Sequence, residues 1–322
     1  MKKRYLRATA GALLVWLLAV PVLAVQQLIP VGRVIGLELT DGTVHVAAFA
    51  DPMGQEAREA GLRIGDEIVA ADDRQISHAE DLKQALARSD GSVELTVRRK
   101  GKCCRLKLHP VATASGPKLG VYLKEGISGI GTVTWYDPAS HRFGALGHGI
   151  NQPDGSLAEM VEGTAYAASV EQVQRGKAGT PGLLKGRVDT QTALGTLYAN
   201  TARGVFGTTQ EGWRGQALPV AEADRVHTGA ATILSNVRDQ QVREFSVEIL
   251  KLYPKRRADG RNLLLRVTDP ELLSQTGGIV QGMSGSPILQ DGYLVGAVTH
   301  VLVNDQTMGY GILIENMLDA AA

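Results

Sequence analysis

The chain is poor in cysteine and in large aromatic residues, with two Cys, four Phe and three Trp among 322 residues. Two cysteines cannot make the multi-bridge framework of a small disulfide-stapled domain. Cys103 and Cys104 are also neighbours, so in a strand they face opposite sides, and a bridge between them would strain disulfide geometry. No Cys-x-x-Cys pair is present and the seven histidines are scattered without ligand spacing, so neither a metal nor a cofactor is expected. Charge of one sign is missing too: 34 basic residues stand against 33 acidic ones, a net of +1. That balance argues against a nucleic-acid surface, and Lys255-Arg256-Arg257 reads instead as the solvated tip of a hairpin. Gly126-Ile127-Ser128-Gly129-Ile130-Gly131 has the wrong glycine order for a dinucleotide loop. Past residue 25 no apolar run is long enough to span a bilayer, and long amphipathic helices are absent.

Glycine is what the chain has in excess. With 38 Gly and 12 Pro, and no three-residue period, it predicts a turn-rich, mainly β protein rather than a collagen-like one. The length suits about two domains.

The basic residues are unevenly placed. Lys2, Lys3, Arg4 and Arg7 precede an uncharged run from Ala8 to Val25, the pattern of a signal peptide or a short N-terminal membrane anchor over residues 1–25. Val22-Leu23-Ala24 permits cleavage, and the run is also long enough to stay as an anchor. Either fate exports the remainder, which is mildly acidic once those four cations are set aside.

Residues 32–110 read as a small α+β module. Val44-His45-Val46-Ala47-Ala48-Phe49 is a strand after the Asp41-Gly42 turn signal, and Gln55 to Ala60 is a short helix stopped by Gly61. A second helix is expected after Ser77, with Glu80 as its capping-box partner. Val93–Val97 and Cys104–Leu108 alternate as strands around Lys100-Gly101. This order, with Ala60-Gly61-Leu62-Arg63-Ile64-Gly65-Asp66-Glu67-Ile68, resembles a bacterial PDZ domain. The resemblance implies capture of a peptide terminus as an added strand, with Ile35-Gly36-Leu37 matching the family's hydrophobic-Gly-hydrophobic loop.

Ala112-Thr113-Ala114-Ser115-Gly116-Pro117 marks a linker over residues 111–118. Residues 119–322 then alternate short strands with Gly, Asp and Pro turns, the habit of a barrel or sandwich. Two stretches carry chemistry. In Gly144-Ala145-Leu146-Gly147-His148-Gly149-Ile150, small neighbours leave the imidazole of His148 approachable as a general base. In Gly282-Met283-Ser284-Gly285-Ser286-Pro287, the glycines let the chain turn so that the amides of Gly282 and Ser284 can face an oxyanion beside the Ser284 hydroxyl. A hairpin rather than a helix follows the serine, as in chymotrypsin-like proteases and unlike an α/β-hydrolase. A third residue should orient the histidine. Of Asp154, Asp189, Asp224, Asp239, Asp259 and Asp269, only Asp189 and Asp269 end apolar strands, and spacing does not choose between them.

The signal segment, the PDZ-like module, Ala145-Leu146-Gly147-His148-Gly149, Val267-Thr268-Asp269-Pro270 and the serine stretch together resemble the SpoIVB serine peptidases, family S55. The resemblance implies a PDZ domain followed by a chymotrypsin-like double β-barrel, and a triad of His148, Asp269 and Ser284. It further implies an exported endopeptidase, held at or released from the membrane between forespore and mother cell. Such an enzyme cleaves itself and a membrane regulator of a sigma-factor-processing protease. Two other readings fit the residues: a catalytically silent exported PDZ adaptor, and an HtrA-like quality-control protease, although in the latter the PDZ domain follows the protease.

Overall fold

A computed structural model describes residues 26–322 except 239, 240 and 258. The expected signal or anchor segment and the candidate Asp239 lie outside the described residues. Among those described, no helix is long and apolar enough to cross a membrane.

The chain is mainly β. It opens with β1 (Gln27–Pro30) and β2 (Val34–Phe49), then α1 (Gln55–Glu59), β3 (Glu67–Ala71), β4 (Arg74–Gln75) and α2 (Ala79–Arg88). It continues through β5 (Val93–Arg99), β6 (Lys102–Leu108), β7 (Val121–Asp137), β8 (Arg142–Ala145), β9 (Glu162–Gln174), β10 (Leu183–Thr201), β11 (Gly204–Thr208) and β12 (Leu218–Pro219). The last third holds β13 (Gly229–Arg238), β14 (Gln241–Leu252), β15 (Leu263–Val267), α3 (Pro270–Thr276), β16 (Pro287–Gln290), β17 (Tyr293–Leu302), β18 (Asp305–Leu313) and α4 (Ile314–Ala321).

Two barrels result. Strands β13 to β18 close one of them in the order β13-β14-β15-β18-β17-β16. Its strands alternate inward and outward residues, so Ile233, Phe245, Val247, Ile249, Leu263, Leu265 and Ile288 meet in a single core. The other ring runs β2-β9-β10-β11-β8-β7 and closes because β7 also pairs with β2. Ile35, Leu37, Leu39, Val133, Phe143, Ala165 and Val205 fill it. Helix α4 covers the seam between the barrels, with Ile314 and Met317 packed against Trp135, Phe206 and Ile312.

The PDZ domain does not precede the first barrel; it is inserted into it. Strand β2 belongs to the barrel through Leu39 and to the PDZ sheet from Val44, where it pairs with β3. Strand β7 makes the same transition in reverse, pairing Val121–Glu125 with the PDZ half of β2 and Ile127–Thr132 with the barrel half. The changeover is a bulge between Leu39 and Val44. Gly126 lies opposite it at φ +58°, where a Cβ would stand 1.8 Å from the Leu39 carbonyl oxygen, so only glycine fits. The boundaries of 32–110, 111–118 and 119–322 therefore shift. Residues 34–39 are barrel, 111–118 are a loop of the PDZ domain bridged from Val111 to Lys118, and 121–125 complete the PDZ sheet. Strand β2 is continuous through both halves, although Thr40-Asp41-Gly42-Thr43 interrupt its apolar alternation at the changeover, so its barrel half reads as part of the neighbouring module.

Inside the PDZ domain, Val44, Leu62, Ile68, Leu82, Leu86, Leu95 and Leu119 share a separate core. The Gly65-Asp66 turn is fixed by Asp66, which accepts from the Arg63 amide at 2.8 Å and from the Arg99 guanidinium at 2.6 Å through each oxygen. Burial pushes this carboxyl up, but Arg99 and the Arg63 amide outweigh it and hold it below the usual range. Helix α2 begins one residue later than expected. His78 is its N-cap and Asp81, rather than Glu80, reaches back to the amides of Ser77 and His78 at 3.0 and 2.8 Å.

Because Leu39 and Ile127 are directly opposite, replacing residues 40–126 by Asn-Gly should turn β2 and β7 into a plain hairpin. We expect that variant to unfold cooperatively on heating, as an intact double barrel does. Deletion of residues 32–110 removes a barrel strand and should give no cooperative transition.

Candidate active site

The histidine and the serine reach one cleft from different barrels. Strand β8 ends at Ala145, and Leu146 and Gly147 both take φ of +70°. This double left-handed step turns the chain off the strand and delivers His148 to the barrel interface. A leucine in that conformation is strained, a cost that structures tolerate mainly at functional positions. The serine comes from the loop between α3 and β16. Buried Met283 anchors this loop in the core of the second barrel. The cleft has a volume of about 550 Å³, and His148, Gly282, Ser284, Thr299 and His300 are among its lining residues.

The peptide planes around Ser284 are pinned one by one. The Gln281 carbonyl accepts from the Leu184 amide at 2.9 Å, and the Gly282 carbonyl from the Thr132 hydroxyl at 2.8 Å. The Met283 carbonyl accepts from the Ser286 amide at 2.9 Å, and the Ser284 carbonyl from the Thr132 amide at 3.0 Å. Met283 and Gly285 donate to the carbonyls of Val280 and Val298 at 3.1 and 2.7 Å. Two amides are left over: among the described residues, Gly282 N–H and Ser284 N–H have no hydrogen-bond partner. Unpaired donors are rare in folded chains, and these two belong to residues that line the cleft. They are the pair expected to face an oxyanion. Gly285 makes the tight turn possible at φ +96°; a Cβ there would lie 2.0 Å from the Thr132 carbonyl oxygen and 2.6 Å from the Leu146 amide.

The Ser284 hydroxyl donates to the Thr299 carbonyl at 2.8 Å, and no hydrogen bond joins it to His148 among the described residues. The Nδ1 of His148 lies 2.9 Å from the carbonyl oxygen of its neighbour Gly149. Donation along that bond places the free lone pair on Nε2, the nitrogen a general base uses. Burial lowers the His148 pKa, only partly offset by the Gly149 carbonyl.

Asp269 is not brought to His148. It is the N-cap of α3, accepting from the Leu272 amide at 2.9 Å and the Ser246 amide at 3.3 Å. Pro270 follows it at the first helical position, the arrangement of a helix start. Asp189 is also elsewhere, on an exposed bulge of β10 where it accepts from Gln191 and Thr192. What stands beside His148 is a residue that the sequence reading passed over. His300 lies with its ring centroid 5.3 Å from that of His148, and its Nδ1 is buried without a hydrogen-bond partner. Burial, then the neighbouring His148 and Arg261, push its pKa down to about 4, against a weaker upward pull from Asp259. The available signal was its place in the apolar strand that follows the serine hairpin.

Ile35-Gly36-Leu37 cannot receive a peptide. The segment is paired on one side with Gly129–Gly131 and on the other with Ala165–Ala167, and both Ile35 and Leu37 are buried. The same hydrophobic-Gly-hydrophobic pattern recurs at Leu119-Gly120-Val121, and there the structure offers a groove. Strand β7 from Val121 to Leu123 has α2 across from it, with Leu82, Lys83, Leu86 and Lys118 lining a space of about 500 Å³. The amides of Leu119 and Gly120 have no hydrogen-bond partner among the described residues.

The family model of SpoIVB peptidase S55 matches residues 116–318, more than half of the chain. The chain belongs to the SpoIVB peptidase S55 family. A PDZ domain model matches residues 54–99. This SpoIVB-family chain thus carries a PDZ domain beside its S55 peptidase domain. A protein of Agrobacterium fabrum named as a zinc metalloprotease is 29% identical over 130 residues, 38% of this chain. That match spans about a third of the curated relative, 33% of its length. Among solved structures, the active form of the Rv3671c protease of M. tuberculosis is 14% identical, covering 61% of this chain and 73% of that one at a TM-score of 0.36. An HtrA-type protease, AlgW with a decapeptide, is 12% identical over 91% of this chain and 64% of its own, at a TM-score of 0.38.

Two outcomes follow. Since a general base must be neutral and burial depresses the His148 pKa, the acid limb of kcat/KM should have its midpoint below the ordinary imidazole value of 6.5; a pH-rate profile measures it. Asp269→Asn keeps a good N-cap and should retain kcat within about twofold, whereas Asp269→Ala should lower stability by about 1 kcal/mol in a denaturant titration.

Proposed function

We propose that the chain is an exported serine endopeptidase that cleaves itself and then a membrane regulatory protein during sporulation, so activating sigma-factor processing in the neighbouring compartment. The observation that carries the peptidase chemistry is the pair of unbonded amides of Gly282 and Ser284 beside a serine and a neutral imidazole. His148 Nε2 takes the Ser284 proton as the hydroxyl oxygen adds to the scissile carbonyl. The two amides stabilise the resulting oxyanion, and the protonated His148 gives its proton to the departing amine. Water then enters with His148 again as base, freeing the acid and restoring the serine. A catalytically silent adaptor has no use for two amides kept free of partners.

The cleft bears on the substrate. None of the described residues lining it is Asp, Glu, Lys or Arg, while Leu37, Ile130, Ile150, Val280 and Val301 contribute to it. Aliphatic side chains without charge suit such walls. The N-terminal segment of residues 1–25 supports a site of action at the outer face of the membrane, between forespore and mother cell. The groove between α2 and β7 supports capture of a peptide terminus there. An apolar last residue would lie against Leu82 and Leu86 and its carboxylate at the amides of Leu119 and Gly120, with Lys83 and Lys118 nearby.

The full chain expressed beside Ser284→Ala and His148→Ala decides the matter. Self-cleavage followed by gel and mass spectrometry should occur in the parent and be lost in both variants. Equal processing in all three overturns the reading.

A further inference from the structure

The serine loop, residues 277–286, contains no strand or helix, yet its amides must be set to within a fraction of an ångström for oxyanion binding. Its shape is therefore imposed from outside. We infer that Thr132 is the positioning residue of the oxyanion hole, acting through the carbonyl of Gly282; the inference rests on the peptidase reading above.

Thr132 lies on β7 in the first barrel and is fully buried. Its hydroxyl donates to the Gly282 carbonyl at 2.8 Å, its amide donates to the Ser284 carbonyl at 3.0 Å, and its carbonyl accepts from the Leu146 amide at 3.1 Å. One residue thereby touches both ends of the Gly282–Ser284 segment and the step that turns out His148. Every other pinned carbonyl of the segment is held by a backbone amide. The Thr132 hydroxyl is the one side-chain donor among these contacts, and so the one that a substitution can remove.

The consequence is geometric. A peptide group is planar, so a bond to the Gly282 carbonyl fixes the Gly282–Met283 plane. Gly282 sits at φ +97°, a region where glycine moves with little steric restraint. Without the Thr132 hydroxyl its carbonyl loses its partner, and the plane is held only by the Met283 amide, whose bond to the Val280 carbonyl is the longer one at 3.1 Å. That plane links the Gln281–Gly282 and Met283–Ser284 planes, which carry the Gly282 and Ser284 N–H groups, so its rotation changes the angle between the two donors and spoils their convergence on one oxyanion. Thr134, two residues further on the same face of β7, secures the Gly285 carbonyl at 2.8 Å, so the loop stays seated on β7 and the effect is confined to Gly282.

The test uses the full chain with Thr132→Val, which keeps the shape and loses the donor, and Thr132→Ser, which keeps the donor and loses a methyl. Turnover of a fluorogenic peptide cleaved by the parent is measured, together with inhibition by a peptide aldehyde, whose adduct carries the oxyanion. Thr132→Val should lower kcat by about ten- to a hundredfold with KM within about twofold, and should weaken the aldehyde in parallel. Thr132→Ser should stay within about threefold of the parent in both. If valine is not tolerated, Thr132→Ala is read against Thr132→Ser in the same way. Parental kcat in the variant without the hydroxyl, or equal losses in it and in Thr132→Ser, overturns the role of Thr132. A parent whose turnover survives Ser284→Ala overturns the peptidase reading instead.

Discussion

Strand β7 is the member on which the other parts of the molecule depend. In 17 residues it serves as the open edge of the PDZ groove, passes a glycine bulge, closes the first barrel and pins the serine loop of the second. A strand rises about 3.3 Å per residue, so the nine steps from Leu123 to Thr132 span roughly 30 Å. The groove and the catalytic loop are therefore distant in space yet joined by one hydrogen-bonded ribbon, with β2 as its partner along the whole way. Inserting a domain into a β-hairpin in this manner costs the barrel little, because the two strands leave it already paired. It also removes the flexible tether that a domain placed before the barrel would need.

Much of this was legible in the residues. His148 and Ser284 stand out in the sequence through the glycines around them, and the fold brings the two to one cleft; Gly285 allows backbone to touch backbone, and the Gly282 amide is unpaired among the described residues. The same local pattern picks out the amides of Gly282 and Ser284, which are left without a partner among the described residues. The failures share a physical origin. Asp269 and Asp189 both end apolar strands, but the end of a strand is also where a helix cap or an Asx turn is needed, and a carboxylate satisfies local amides before it reaches across a barrel. Ile35-Gly36-Leu37 and Leu119-Gly120-Val121 carry the same three-residue pattern. Only pairing distinguishes them, since the first has neighbours on both edges and the second has one. Pairing partners far apart in sequence leave no local trace.

Among the described residues no carboxylate partners His148, and this alters the electrostatics of the site. A carboxylate partner would raise the base and stabilise its imidazolium. Here the described residues offer a backbone carbonyl on Nδ1 and a second imidazole across the ring, both uncharged near neutrality. Orientation of the tautomer is still achieved, because the Gly149 carbonyl accepts only from a protonated Nδ1. On the proposed mechanism the cation is less stabilised, so more of the barrier reduction would fall on the oxyanion side. That division is consistent with how the two halves are built: each carbonyl from Gln281 to Ser284 is bonded, while the histidine is held through its immediate neighbour.

The same contrast locates what remains adjustable. In the serine loop every carbonyl from Val280 to Ser286 is committed, and a close-packed segment held in this way does not deform by degrees. The Ser284 side chain is different: one rotation about its Cα–Cβ bond exchanges the Thr299 carbonyl for another acceptor, at the cost of a single hydrogen bond, about 1 kcal/mol net. Thr299 adjoins His300, and His300 faces His148. A peptide backbone entering the cleft along Thr299 would compete for that carbonyl and release the hydroxyl toward the base.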